Sequence, residues 1–236
     1  MSDAQQEVWW VPLESNPDAL NTFAHGVGLP EGYGFVDVWG VDAELLGMVP
    51  RPCLAVTLLF PMSEANSEYK EAQDTKIKQD GQEISEDLFY MSQVVRNACG
   101  TVATMHILAN TIEETGLPEA CAASNFFNSA KGMTPQQIGS ALAEASEIHA
   151  VSEAGSKQGQ TETPEATMKT EGHFISFVCK GGDLYELDGR KNFPINHGPI
   201  QEGEDLLTAA AKTIKTCFMD TDPTSMQFNM MALVKM

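Results

Sequence analysis

The 236-residue chain carries 14 Lys and Arg against 33 Asp and Glu, a formal charge of −19, with 42% hydrophobic residues. Length and apolar content suffice for one large domain or two small ones, and only three arginines (Arg51, Arg96, Arg190) are present, which argues against a nucleic-acid partner. An acidic surface either keeps a protein in solution or draws a basic partner toward it.

Met1-Ser2-Asp3-Ala4-Gln5-Gln6-Glu7 lacks the basic and apolar regions of a signal peptide. The longest near-apolar run, 52–62, is too short for a membrane-spanning helix. The five cysteines (Cys53, Cys99, Cys121, Cys179, Cys217) are scattered, odd in number and never form C-x-x-C. That pattern speaks against a disulfide framework or a zinc site and for a reducing compartment, the cytosol or the nucleus. No cofactor or metal is expected, and no membrane contact.

Trp9-Trp10-Val11-Pro12-Leu13 opens the chain on an apolar note. Ser15-Asn16-Pro17-Asp18 then supplies an N-cap with proline at the first helical position, and Leu20, Phe23, Ala24 and Val27 form a stripe closed by Gly28. Phe35-Val36-Asp37-Val38-Trp39 alternates as a strand does, and Asp42 caps a short helix through Leu46. The continuous apolar run 52–60 predicts a strand covered on both faces. Residues 63–87 are polar, with an exposed helix expected at about 69–78 and a break at Asp80-Gly81.

Gln93-Val94-Val95-Arg96-Asn97-Ala98-Cys99-Gly100-Thr101 follows. The Asn97-Ala98 turn delivers Cys99 to the start of a helix predicted over 99–110. A thiol there meets the positive end of the helix dipole, which favours the thiolate. Gln93 is an amide with two N–H donors. Two readings stand at this point: a buried cysteine packed as a small hydrophobe, or a nucleophile with an amide beside its oxyanion. Further helices are expected at 119–130 and 135–149, the latter capped by Thr134. Residues 151–170 hold almost no apolar side chain and read as a long mobile loop, functional rather than a linker.

His173-Phe174-Ile175-Ser176-Phe177-Val178-Cys179-Lys180, Gly181-Gly182 and Asp183-Leu184-Tyr185-Glu186-Leu187-Asp188 read as a β-hairpin with a two-residue turn. Residues 190–198 read as a loop, 205–219 as an amphipathic helix and 228–234 as a last strand.

A cysteine nucleophile needs an imidazole base with its own orienting partner. His106 shares the helix of Cys99 but lies two turns away, roughly 10 Å along the axis. His25 and His149 have no strand acid nearby, and His197 sits in a turn where a structural role is the ordinary one. His173 differs. In a two-residue hairpin, paired positions sum to 363, which puts Asp188 opposite Ile175 and on the same face as His173. Such diagonal neighbours lie about 7–8 Å apart at the backbone, within reach of two inward-leaning side chains. The alternative is a His and an Asp at solvated strand ends.

Together the Gln93/Asn97-Ala98-Cys99-Gly100-Thr101 block, His173-Phe174-Ile175, Leu184-Tyr185-Glu186-Leu187-Asp188-Gly189-Arg190-Lys191 and Phe193-Pro194-Ile195-Asn196-His197-Gly198 strongly resemble the ubiquitin carboxyl-terminal hydrolases. So do Trp10-Val11-Pro12-Leu13-Glu14, Phe35-Val36-Asp37-Val38-Trp39-Gly40 and Leu45-Leu46-Gly47-Met48-Val49-Pro50-Arg51-Pro52. The similarity spans the chain and points to the short single-domain isozyme-L type, residues 1–236 forming one domain without a C-terminal extension. Asn192 stands where the family pattern has proline, and 63–80 and 110–130 diverge. The resemblance implies an α+β (α-β-α) papain-like fold, a central antiparallel sheet flanked by helices, with a knotted backbone. It also implies Cys99 as nucleophile, His173 as base, Asp188 as its orienter and Gln93 as oxyanion donor. It makes 151–170 an active-site crossover loop that limits the leaving group, and Asp37, with Leu13 and Glu14, contacts to ubiquitin. The expected protein is a monomeric hydrolase acting on ubiquitin or a ubiquitin-like modifier. A ubiquitin-binding protein of the same fold with little turnover is the alternative, and a general endopeptidase the third reading.

Overall fold

In the computed structural model, which describes residues 7–160, 165–168 and 170–236, the side chains of Asn16, Thr134 and Asp205 cap helices where the sequence places them, whereas Asp42, expected to cap a short helix, makes no side-chain capping bond. Helix α1 (Pro17–Val27) begins with the Asn16 side chain accepting from the Ala19 N–H at 2.8 Å, and ends where Gly28 at φ 127° returns its N–H to the Ala24 and His25 carbonyls. Strand β1 (Tyr33–Val38) and the short α2 (Ala43–Leu46) lead to β2 (Cys53–Pro61). Helix α3 covers Glu64–Asp80, capped by Ser63, and is longer than the 69–78 expected. Its residues are mostly polar and carry no apolar stripe, so hydrophobic periodicity marks only part of it.

Helix α4 (Cys99–Asn110) is buried on nearly all sides. Then come α5 (Ile112–Thr115), α6 (Ala122–Ser129), α7 (Pro135–Glu144) and α8 (Ser146–Ser156). The helix expected at 135–149 is two helices, broken at Ala145 with ψ 78°. The mobile loop expected from 151 does not begin there. Helix α8 runs on to Ser156 because its small polar residues are packing residues: Ser152 Oγ meets Thr101 Oγ1 of α4 at 2.8 Å, and a Cβ on Gly155 would stand 3.1 Å from the Ala19 carbonyl. The rest of that expectation falls partly on residues 161–164 and 169, outside the described residues.

Strands β3 (Gly172–Lys180) and β4 (Asp183–Leu187) form the predicted hairpin in the predicted register, Ser176 opposite Leu187 and Lys180 opposite Asp183. Gly181 and Gly182 take φ 61° and 89°, as a turn with two left-handed residues demands. Residues 195–199, expected within a loop, form edge strand β5, since Asn196-His197-Gly198 has turn chemistry but pairs with β4. Helix α9 (Leu206–Ile214) gives way to one π-helical turn (Lys215–Met219), and β6 (Asn229–Lys235) closes the chain.

Among the described residues, six strands form one antiparallel sheet in the order β1-β6-β2-β3-β4-β5. Strand β2 lies inside it, as its unbroken apolar run requires. Ala55 faces a core shared with Phe23 of α1, Met105 of α4 and Phe126 of α6. Val56, Leu58 and Phe60 face a second core with Leu207, Ala210 and Ile214 of α9. This is the expected α-β-α arrangement.

Polar groups on α4 pin the extended segment that leads to Gln93. Asn110 Nδ2 donates to the Phe89 carbonyl and Asn110 Oδ1 accepts from the Phe89 N–H, both at 2.9 Å. The His106 Nε2 accepts from the Met91 N–H at 3.0 Å, and Tyr90 stacks on its ring. His106 therefore serves the scaffold, and burial lowers its pKa to about 4. From the other side α7 closes on the same segment: a Cβ on Gly139 would stand 2.0 Å from the Ser92 carbonyl oxygen.

Two stability measurements check this account. Replacing an exposed helical glycine by alanine ordinarily gains about 1 kcal/mol. Gly139→Ala should instead lose about 1–3 kcal/mol, because the backbone of 92–94 has to give way; a raised urea midpoint would contradict the packing. As pH falls from 6.5 toward 4, the unfolded chain protonates His106 while the folded chain does not. His106 should thus contribute full stability above pH 6.5 and lose about 3 kcal/mol of it by pH 4. The difference in urea stability between wild type and His106→Gln should narrow over that window, and a flat difference would refute the buried neutral imidazole.

Candidate active site

Cys99 is the first residue of α4, preceded by Asn97 at φ 60° and by Ala98, which caps nothing with its side chain. The first amide N–H groups of the helix, that of Cys99 included, are therefore not closed off by a cap. His173, at the start of β3, and Asp188, one residue past β4, are buried, their side chains only 0% and 1% exposed. His173 Nε2 donates to Asp188 Oδ1 at 2.6 Å, so the hairpin register brings together the pair it predicted. The Arg190 N–H donates to the same oxygen at 2.9 Å, and Tyr90 Oη lies 2.7 Å from the Asp188 carbonyl. With Nε2 committed, Nδ1 of His173 has no conventional partner among the described residues and is the atom left for the Cys99 thiol.

Burial works against charge at each of these groups, and the partners outweigh it. At Cys99 burial favours the thiol, but the hydrogen bond and charge of His173, the Phe174 N–H and the Arg190 charge bring the pKa below the ordinary 9.0. At His173 burial favours the neutral ring, yet Asp188 and Cys99 raise the pKa above 6.5. Asp188 is held far below the usual carboxylate range, against burial, by His173 and Lys70. A lowered thiol beside a raised imidazole is the condition for a thiolate–imidazolium pair.

Gln93 is fixed at both ends. Its backbone N–H donates to the Gly189 carbonyl at 2.7 Å and its Nε2 donates to the Val95 carbonyl at 3.1 Å, which leaves the second Nε2 hydrogen uncommitted. Gly189 permits this approach, since a Cβ there would stand 2.9 Å from Val102 Cγ1 and 3.0 Å from Gln93 Cβ.

A cavity of about 210 Å³ opens beside Cys99, lined by Leu13, Glu14, Gly172 and Phe174 among others. Leu13 and Glu14 are thus neighbours of the thiol. Glu14 Oε1 accepts from the Gln160 N–H at 3.1 Å, and Asn97 Nδ2 donates to the Ala166 and Met168 carbonyls at 2.7 and 2.8 Å. The described parts of 157–168 are tied to both sides of the cysteine. Asp37 lies elsewhere, on β1, in a hollow with Pro17, Val36, exposed Trp39 and exposed Met48; burial and Asp18 raise its pKa.

The other histidines are engaged away from Cys99: His149 stacks on Trp10, His25 meets the Leu29 carbonyl and His197 pairs with buried Glu186. Sequence reasoning missed Lys70, which donates to Asp188 Oδ2, and Tyr90. Neither sits in a motif, and only the packing of distant segments brings them to the acid.

The family model for "ubiquitin carboxyl-terminal hydrolase, family 1" matches residues 10–219. A ubiquitin carboxyl-terminal hydrolase of Drosophila melanogaster is 40% identical, covering 95% of this chain and 96% of that one. A probable ubiquitin carboxyl-terminal hydrolase of Dictyostelium discoideum is 37% identical over 96% of this chain and 88% of its own length. The fold is similar to that of the Trichinella spiralis UCH37 catalytic domain bound to ubiquitin vinyl methyl ester, with a TM-score of 0.75, 21% identity and coverage of 96% and 95% of the two chains. A match from Trp10 to Met219, with relatives this similar nearly end to end, places the chain in family 1 of the ubiquitin carboxyl-terminal hydrolases.

Proposed function

We infer that the protein is a thiol hydrolase that releases small adducts or short peptides from the C-terminal glycine of ubiquitin. The observation that carries the reading is His173, held by Asp188 at 2.6 Å and engaged with a Cys99 thiol at an uncapped helix N-terminus. Membership of the family supports ubiquitin as the substrate.

The Cys99 thiolate attacks the glycine carbonyl carbon, and the carbonyl electrons move onto oxygen. The Cys99 N–H and Gln93 Nε2 are the donors for that oxyanion; losing one such donor typically lowers the rate about 10²–10³-fold. Imidazolium His173 gives its proton to the leaving group as the bond breaks, leaving ubiquitin as a thioester on Cys99. Neutral His173 then takes a proton from water, which attacks the thioester and frees ubiquitin, restoring the Cys99 thiolate beside imidazolium His173. Asp188 keeps the ring oriented throughout. Leu13 and Glu14 line the approach to the thiol, which suits contact with a ubiquitin tail. Asp37 suits a basic side chain further along the same partner. The ties of Gln160, Ala166 and Met168 across the cleft support selection for small leaving groups.

The ubiquitin C-terminal amide of aminomethylcoumarin tests this directly. Wild type should release the dye, and Cys99→Ala should bind ubiquitin with unchanged affinity and release none. Dye release by Cys99→Ala would overturn the assignment of the nucleophile, and complex formation by wild type without release would favour the binding-protein alternative.

A further inference from the structure

Helix α3 is the most polar long helix of the fold, and the chemistry above does not use it. Its inner face is a set of ionic contacts to the turn that carries Asp188. Lys70 Nζ donates to Asp188 Oδ2, the oxygen that His173 leaves free, and its Nζ lies 4.7 Å from the centre of the Phe60 ring. One helical turn on, Asp74 Oδ1 accepts from Lys191 Nζ at 2.7 Å, and Gln73 Oε1 accepts from it at 2.8 Å. Lys70 and Asp74 stand four residues apart and so share a face. Asp188 and Lys191 are linked in turn by the Lys191 N–H donating to the Asp188 carbonyl at 2.9 Å. Two ion pairs of opposite sense therefore lock α3 onto this turn.

The pair at Asp188 is not a surface ornament. The Asp188 side chain is 1% exposed and that of Lys70 14%. An exposed ion pair contributes little, whereas removing one partner of a buried pair leaves a charge without compensation. Here Oδ1 takes the two donors His173 Nε2 and the Arg190 N–H, and Oδ2 takes Lys70. With both oxygens occupied, the carboxylate plane cannot turn away from the imidazole.

We propose that Lys70 is a positioning residue of the active site, holding Oδ2 of Asp188 from α3 so that Oδ1 stays on His173 and only part of the carboxylate charge reaches the ring. This rests on the reading of Cys99, His173 and Asp188 given above. The ionisable groups around Asp188 are His173 from β3, Lys70 from α3, and Tyr90 and His106 from the opposite side. Glu186, on β4, is the second anion near Lys70 and is paired with His197. Lys191 is already paired with Asp74. Lys70 is thus the cation that balances Asp188 on the side away from His173. Taking it away raises the proton affinity of Asp188, His173 and Cys99 together.

The test compares Lys70→Met, Lys70→Gln and Lys70→Arg with wild type, using ubiquitin aminomethylcoumarin across pH and an NMR titration of the His173 ring. Met keeps an unbranched apolar stem without the charge, and Gln keeps a donor for Oδ2 without the charge. In both, kcat should fall about 10–100-fold, in the range seen when an outer-shell partner is removed, with KM little changed. Both limbs of the kcat/KM profile and the His173 titration should move to higher pH. Arg should restore kcat and both limbs. Unmoved limbs and an unmoved His173 titration in Met and Gln would overturn the proposal, even if the melting temperature drops, since that pattern means a structural contact alone. If Met does not fold, Gln carries the same comparison. If wild type releases no dye, the hydrolase reading fails, and the His173 titration still decides the role of Lys70.

Discussion

A carboxylate with 1% of its side-chain surface exposed must be surrounded by donors, and Asp188 imposes that demand on several separate elements. Strand β3 supplies His173, the turn after β4 supplies the Arg190 N–H, and α3 supplies Lys70. The Tyr90 hydroxyl, from the segment before Gln93, reaches the Asp188 and Lys191 carbonyls at 2.7 and 2.6 Å. That residue belongs to the stretch fixed on its other side by His106 and Asn110 of α4. The acid thus ties the sheet to the helix that bears the nucleophile.

The division of labour follows from the two kinds of scaffold. The hairpin fixes the relation of His173 to Asp188, because register in a two-residue turn leaves no freedom. The helix fixes Cys99 against its own dipole and amide groups. What joins the halves is packing: α4 lies buried against β3 in a core that includes Val102, Phe174 and Leu187. Close approach is allowed by Gly100, where a Cβ would stand 3.2 Å from Leu13 and 3.4 Å from the Phe174 ring. Geometry and electrostatics point the same way here, since His173 favours the charged form of both Cys99 and Asp188, and Lys70 adds to that at Asp188.

Legibility in the sequence tracked the range of the interaction. The Gly181-Gly182 turn and strand alternation were enough to pair His173 with Asp188, and helix rise was enough to remove His106 as a base. Asn16 and Thr134 announced their helices through capping oxygens. Helix α3 was legible only in part because its inner face is ionic: Lys70 and Asp74 look like solvated charges until Asp188 and Lys191 are placed opposite. The C-terminal half of α8 looked like part of a mobile loop because Ser152, Gly155 and Ser156 are polar or small. In place they are the residues that let it press against α1 and α4. Strand β5 was hidden by turn-forming residues that pair all the same. Leu13, Glu14 and Asp37 came from family resemblance alone, and the structure brings only the first two to the cavity beside Cys99.

A thiolate–imidazolium pair requires that His173, held by Asp188, keep Cys99 ionised. Ultraviolet thiolate absorbance as a function of pH, taken as wild type minus Cys99→Ser, measures that most directly. A Cys99 signal should persist below the 9.0 of an ordinary thiol and disappear there in His173→Ala. A signal that rises only in the ordinary thiol range, and is the same with and without His173, would contradict it.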